Sequence, residues 1–238
     1  MYLAILLAYV VLIVAIAIRG KLRFKTLLSV SVTEEKRVKR TLGNIVFGCV
    51  ALLVLFVVCL LLGISFADIG LRPISFDYNI WFTVITLVLC GAILAQFIYQ
   101  TVSPKHKKTV ADLDNSSKSG YGKVMELLLP RTKKEKMFAT VDSVTVGIYE
   151  EILARGFLLY VLQMQFPNLS IILVVLITSL LFGVGHFYQG LQGIIMTTVA
   201  GILLGFLFVV TGSLIPSILL HFFVNFSDVF TVRQENTA

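Results

Sequence analysis

Long apolar runs, separated by short polar segments, dominate the sequence. A helix needs about 20 residues to cross the ~30 Å hydrocarbon core of a bilayer, and the apolar runs have roughly that length. We therefore predict an all-α fold, a polytopic membrane helix bundle of about seven transmembrane helices. These helices are expected near residues 2–18, 45–66, 79–102, 137–165, 170–187, 190–211 and 214–232.

Composition and charge support an integral membrane protein. The chain is 58% hydrophobic and 14% charged, whereas soluble domains carry about 25% charged residues. Most of the 20 Lys and Arg residues fall in segments 19–44 and 103–136, which is typical of cytoplasmic loops. Alternation of basic and non-basic loops predicts an N-terminus outside and a C-terminus in the cytoplasm. The net charge of +7 comes with no nucleic-acid-binding motif, so we expect no nucleic-acid partner.

The hydrophilic segment 103–136 divides the chain into two parts. It contains a Ser-rich stretch at 115–120 with the composition of a flexible linker. We expect three N-terminal transmembrane helices in 1–102, a basic cytoplasmic loop in 103–136 and a four-helix membrane core in 137–232. The buried polar groups all lie in the last of these parts, so we expect the catalytic residues on the C-terminal four helices.

Ionisable residues interrupt the apolar runs of this core. Glu150, Glu151 and Arg155 lie in the fourth run, His186 near the end of the fifth, and His221 in the last. A charged group at membrane depth costs at least ~2.5–3.5 kcal/mol, so such groups persist when they are paired or functional. Glu151 and Arg155 share a helix face, and their pair can be purely structural. Glu150 points elsewhere and needs a tertiary partner.

The histidines have structural explanations when each is considered alone. His186 can be an interfacial or satisfied core residue, and His221 with Asn225 can join helices by hydrogen bonds. Together with the carboxylates, these residues are typical of an active site built from three helices. Amide hydrolysis needs a base that activates water and donors for the oxyanion. Glu150 can be the base and His186 can orient the water, while His221 and Asn225 can donate to the oxyanion.

Three short motifs lie in the order and spacing of a known family. They are Glu150-Glu151-xxx-Arg155, Phe182-xxx-His186 and His221-xxx-Asn225. Over roughly residues 140–230, the chain therefore resembles the CAAX protease and bacteriocin-processing (Abi) family of intramembrane endopeptidases. The resemblance implies cleavage of membrane-associated proteins or peptides, near their C-termini or within them. The compact chain fits a bacterial member in the plasma membrane, where peptide maturation and bacteriocin immunity are associated roles.

The resemblance also implies a role for each motif residue. Glu150 and His186 would activate water, His221 and Asn225 would form the oxyanion site, and Glu151 and Arg155 would support the surrounding architecture. A His-Glu-x-x-His zinc signature is absent from the sequence. We therefore expect a metal-free, glutamate-dependent mechanism with no required cofactor. The alternative is a Zn²⁺ ion bound by Glu150, His186 and His221.

Two other functions are compatible with buried polar residues in a membrane bundle. One is a non-enzymatic regulator or scaffold of the same fold that binds a membrane partner, although the chain retains all the motif residues of an enzyme. The other is a proton-coupled transporter, which the absence of an internal repeat disfavours. The expected partners are the lipid bilayer and a membrane-associated peptide or protein substrate, and the oligomeric state stays open.

Overall fold

The computed structural model describes residues 1–28, 33–103 and 129–230. All regular secondary structure in these ranges is helical, which confirms the predicted all-α fold. The helices are α1 (Tyr2–Leu28), α2 (Glu34–Leu62), α3 (Ile80–Val102), α4 (Lys133–Glu151), α5 (Leu159–Gln165), α6 (Ile171–Gly185), α7 (Gly190–Thr211) and α8 (Leu214–Val229). A π-helical segment, Ile152–Leu158, joins α4 to α5 without a break, and a 3₁₀ turn, Phe187–Gln189, precedes α7.

Helix α2 begins and ends earlier than the apolar run 45–66 predicts. Its start at Glu34 is set by Thr33, whose side chain accepts a hydrogen bond from the Lys36 backbone N–H. Its end is set by Gly63, which has a left-handed backbone with φ of 68°. Because the first turns of α2 are polar, the hydrophobic pattern does not reveal them.

Helix α4 also begins early and shortens the loop predicted over 103–136. Thr132 and Glu135 form a capping box at its start, in which each side chain accepts a hydrogen bond from the backbone N–H of the other residue. Residues 133–136 are therefore helical, although their charged side chains favoured a loop. The linker-like stretch 115–120 lies outside the described residues.

Within the part of the chain that the structure describes, four helical stretches are long and apolar enough to cross a membrane, by length and composition. They are Tyr2–Leu22, Glu34–Leu62, Ile80–Tyr99 and Phe187–Thr211. Helices α6 and α8 are apolar but shorter, with 15 and 16 residues. Helix α4 falls outside this group because it carries several lysines and carboxylates. The protein is thus an integral membrane helix bundle, and the figure of about seven spans stays a prediction.

The continuous run from α4 through α5 links the other elements of the bundle. Helix α4 packs against α2 and α8, and α8 also contacts α3 and α7. The π-helical segment contacts α6, α7 and α8, while α1 lies against α5 and α6. Leu158, Val161, Val174, Val175 and Leu214 are fully or almost fully buried where these elements meet. The end of α4 is therefore held between helices of the C-terminal half.

A loop from the N-terminal half closes one end of this core. Arg72 Nε donates to the Gly212 carbonyl at 2.7 Å, and Ser213 Oγ donates to the Arg72 carbonyl at 2.6 Å. Both contacts fix the loop 63–79 to the turn between α7 and α8. Ile69 is 1% exposed, and its carbonyl faces Gly156 of the π-helical segment. The two halves of the chain thus form one packed unit at this end.

Hydrogen bonds within the same loop stabilise its first turn. The hydroxyl and the backbone N–H of Ser65 donate to Asp68 Oδ2 at 2.7 and 2.8 Å. These two bonds hold the pKa of the Asp68 carboxyl below its usual value. The ionised carboxylate therefore stabilises the turn that leads to Ile69.

Candidate active site

A buried ion pair spans the junction between α4 and the π-helical segment. Glu151 ends α4, and Arg155 lies in the π-helical segment; their side chains are 0% and 1% exposed. Arg155 Nη1 donates to Glu151 Oε1 at 2.8 Å, as the spacing of four residues predicts. The segment that carries Arg155 has the i→i+5 pattern that occurs frequently at functional sites. Neutralisation by the partner allows both charges to stay in the interior.

His221 of α8 lies between the two carboxylates of α4. Its Nδ1 is 2.7 Å from Glu151 Oε1, and its Nε2 is 3.9 Å from Glu150 Oε2. An ionised carboxylate can only accept hydrogen bonds, so Glu151, paired with the Arg155 guanidinium, accepts from His221, whose Nδ1 therefore carries a proton. Glu151 thus orients the imidazole in addition to pairing with Arg155. Helix spacing predicts the pair with Arg155, but it gives no sign of the contact with His221.

Glu150 is the more exposed of the two carboxylates, with 17% of its side chain accessible. Its Oε1 accepts a hydrogen bond from the Tyr149 hydroxyl at 3.1 Å. Its Oε2 faces His221 Nε2, so α8 supplies the tertiary neighbour that Glu150 needs. The two oxygens of Glu150 therefore have different surroundings, one held by a donor and one turned towards the imidazole.

His186 is the first residue after α6. Its Nδ1 is 2.9 Å from the Phe182 carbonyl, one turn earlier, so Nδ1 donates, and in the neutral imidazole Nε2 keeps its lone pair. The Phe182 ring contacts three candidate residues: the Arg155 guanidinium at 4.3 Å and the rings of His186 and His221 at centroid distances of 4.7 and 6.3 Å. Phe182 therefore joins residues of all three motifs.

Asn225 lies one turn beyond His221 on α8 and is half-buried. No described residue forms a hydrogen bond with its side chain. Residues four apart on a helix share a face, so the amide of Asn225 lies on the His221 side of α8. The structure thus brings Glu150, Glu151, Arg155 and His221 into one contact group, with His186 joined to that group through Phe182.

A zinc ion would need the side chains of Glu150, His186 and His221 to converge on one point. Within the described ranges, no group of three or more His, Cys, Asp or Glu side chains is arranged to hold a metal ion. The set Glu150, His186 and His221 is therefore not a preformed site. Both histidines engage Nδ1 in hydrogen bonds, so each offers only Nε2, which is also the common orientation of a metal-ligating histidine.

The sequence motifs assign no role to two aromatic residues of the site, although one of them, Phe182, begins the second motif. Phe182 precedes His186 by four residues, so helix spacing alone could have placed both on one face. Tyr149 adjoins Glu150, and adjacent helical residues point about 100° apart around the axis. Nothing in the sequence therefore predicts the hydrogen bond from Tyr149 to Glu150.

Comparison with known protein families gives a match in the C-terminal half of the chain. The family model described as type II CAAX prenyl endopeptidase Rce1-like matches residues 133–227. No curated protein and no solved structure gives a significant match. The matched segment begins at the first residue of α4, ends within α8 and contains all three motifs. The resemblance that the motifs predict is confirmed over residues 133–227, the segment that matches the Rce1-like family model.

Proposed function

We propose that this protein is an intramembrane endopeptidase in which Glu150 activates water to hydrolyse peptide bonds. The observation that supports this proposal most directly is the position of His221 between Glu150 and Glu151, on the segment that matches a protease family. A carboxylate base, an oriented imidazole and a nearby amide are the groups that acyl hydrolysis requires.

Glu150 and His186 are the proposed water-activating groups. Glu150 is partly accessible, and its Oε2 accepts no hydrogen bond from a described residue. His186 uses Nδ1 on the Phe182 carbonyl, so its Nε2 can accept a hydrogen bond from the attacking water. A water held by these two acceptors would present its oxygen lone pair to a carbonyl carbon.

His221 and Asn225 are the proposed oxyanion donors. His221 already donates through Nδ1 to Glu151, so a second donation through Nε2 requires the imidazolium form. In the neutral form, Nε2 would instead accept a proton. Asn225 donates in either case, because an amide NH₂ carries two hydrogens. Glu151 and Arg155 act as positioning residues that fix the orientation of His221.

The proposed substrate is a membrane-associated protein or peptide cleaved near its C-terminus or within its chain. The matching family model is described as type II CAAX prenyl endopeptidase Rce1-like, and a prenyl group is a lipid that anchors a chain to a membrane. Peptide maturation or bacteriocin immunity in a bacterial plasma membrane is the proposed setting. The mechanism needs no metal ion, because the proposed acid–base and donor groups are all protein side chains.

The test is cleavage of a membrane peptide library by the purified protein in detergent. Glu150→Gln, His186→Ala and His221→Ala should each lose at least about a hundredfold in kcat/KM, the usual contribution of a general base or a donor. His106→Ala is the matched control, since His106 is the remaining histidine and lies outside the motifs. Wild-type cleavage by Glu150→Gln would contradict the proposed role of Glu150, whereas absence of cleavage by the wild-type protein would favour a non-enzymatic regulator.

A further inference from the structure

Helix α2 lies outside the segment that matches the protease family, yet it packs along α4 beside the proposed base. Gly48 of α2 is buried at this contact. A Cβ atom at Gly48 would lie 2.5 Å from Tyr149 Cδ1 and 2.9 Å from Thr145 Cγ2. Real Cβ atoms do not approach other atoms so closely, so the notch at Gly48 exists only because the residue has no side chain.

The Tyr149 ring occupies that notch. Its edge also packs against Phe47 of α2, with ring centroids 6.0 Å apart and planes at 82°. These two contacts come from Phe47 and Gly48, which are adjacent on α2, and they hold the Tyr149 ring of α4 in one position. The hydroxyl at the far end of the ring then donates to Glu150 Oε1 at 3.1 Å. The position of α2 therefore determines where this donor lies.

We propose that Tyr149, seated in the Gly48 notch, is a positioning residue for Glu150. This inference rests on the proposed function and adds a role for the N-terminal half. The Tyr149 hydroxyl is the one hydrogen-bond donor that the described residues supply to Glu150. A free glutamate side chain populates several rotamers, and fixing one of them preorganises the base for attack. The bond holds Oε1 and leaves Oε2 facing His221.

A packing role and a positioning role differ in which part of Tyr149 they need. Packing needs only the ring, whereas positioning needs the hydroxyl. Tyr149→Phe should therefore keep the thermal unfolding midpoint and the KM while kcat falls about tenfold, the effect expected for one hydrogen bond to a charged group. Tyr160→Phe, a tyrosine of α5 that packs on Tyr2, is the matched control and should leave kcat unchanged.

The notch provides a second, independent perturbation. Gly48→Ala places a methyl group against the Tyr149 ring, so kcat should fall while Tyr149 is present. In the Tyr149→Phe background, Gly48→Ala should cause no further loss of kcat, because the positioning hydroxyl is already gone. Gly43→Ala, on the same helix with nothing within 4 Å, is the control and should match wild type. Independent, multiplicative losses from the two substitutions would overturn the proposal.

An infrared measurement tests the contact without any substrate. The difference spectrum between wild type and Glu150→Gln isolates the Glu150 carboxyl band, which should shift in Tyr149→Phe and stay in place in Tyr160→Phe. An unshifted band in Tyr149→Phe would overturn the positioning role.

If Glu150→Gln is inactive and Tyr149→Phe is fully active, this inference fails while the proposed function stands. If Glu150→Gln is fully active, the proposed function fails, and the infrared band still decides whether Tyr149 holds Glu150.

Discussion

Glu151 and His221 are 70 positions apart in the sequence, yet Glu151 Oε1 lies 2.7 Å from His221 Nδ1. The same carboxylate oxygen accepts from Arg155 Nη1 at 2.8 Å. One buried atom therefore couples the first motif to the third. This coupling makes Glu151 part of the site geometry as well as half of a structural ion pair.

Glu151→Gln should destabilise the protein strongly. The substitution leaves the Arg155 guanidinium buried without a counter-charge, and breaking a buried pair in this way costs about 3–5 kcal/mol in the free energy of unfolding. Thermal unfolding in detergent measures the effect. Glu35→Gln, an exposed residue on α2, should leave the midpoint unchanged. Equal midpoints for Glu151→Gln and wild type would show that Glu151 does not neutralise Arg155.

His186→Ala and His221→Ala should both abolish cleavage but should differ in their effect on the stability of the protein. His186 is half-buried and bonds only a carbonyl of its own helix, so its loss should cost less than about 1 kcal/mol while abolishing cleavage. His221→Ala should abolish cleavage and also lower stability, because it removes a donor from buried Glu151. Cleavage rates and unfolding midpoints are measured on the same preparations. A larger destabilisation by His186→Ala than by His221→Ala would refute this assignment.

Gly156→Ala should weaken the contact between the loop and the π-helical segment. The new Cβ would lie 2.7 Å from the Ile69 carbonyl oxygen, and this backbone atom has little freedom to move. Overpacking of this kind costs about 1–3 kcal/mol in the free energy of unfolding. Gly91→Ala, on α3 with nothing within 4 Å, should be neutral or stabilising. Unfolding midpoints of the two variants in detergent provide the comparison.

The turn at Asp68 should loosen in acid. Hydrogen bonds from Ser65 lower the pKa of the folded carboxyl, so Asp68 stabilises the turn above its unfolded pKa of about 3.9. The stabilisation is lost as pH falls through the lower, folded pKa. Hydrogen exchange of the Ser65–Ile69 amides should rise over that pH range beyond the intrinsic exchange rate. Asp68→Asn should remove this pH dependence, and an unchanged profile in the variant would contradict it.

Chelators should leave peptide cleavage unaffected. The described residues form no group of three metal-binding side chains, and the proposed roles use protein groups alone. The measurement is kcat/KM after dialysis against EDTA or 1,10-phenanthroline, followed by addition of zinc. Loss of activity with chelator and recovery with zinc would reverse this expectation and favour the zinc alternative.

The hydrophobic pattern predicted the helices well and their ends poorly. The polar first turns of α2 and α4 were missed because side-chain caps at Thr33 and Thr132, rather than apolar residues, set where those helices begin. The ion pair of Glu151 and Arg155 was predictable because it is local to one helix. The hydrogen bond from Tyr149 to Glu150 was not, since it depends on how α2 seats the tyrosine ring.

An all-helical membrane protein and its three motifs follow from the amino-acid sequence alone, because apolar length and helical spacing are local properties of the chain. Which ionisable groups meet depends on the tertiary structure. It placed His221 between Glu150 and Glu151 and Phe182 against Arg155, and it brought Gly48 of the N-terminal half under Tyr149. These contacts join residues on different helices, and helix packing, rather than spacing along the chain, sets their distances.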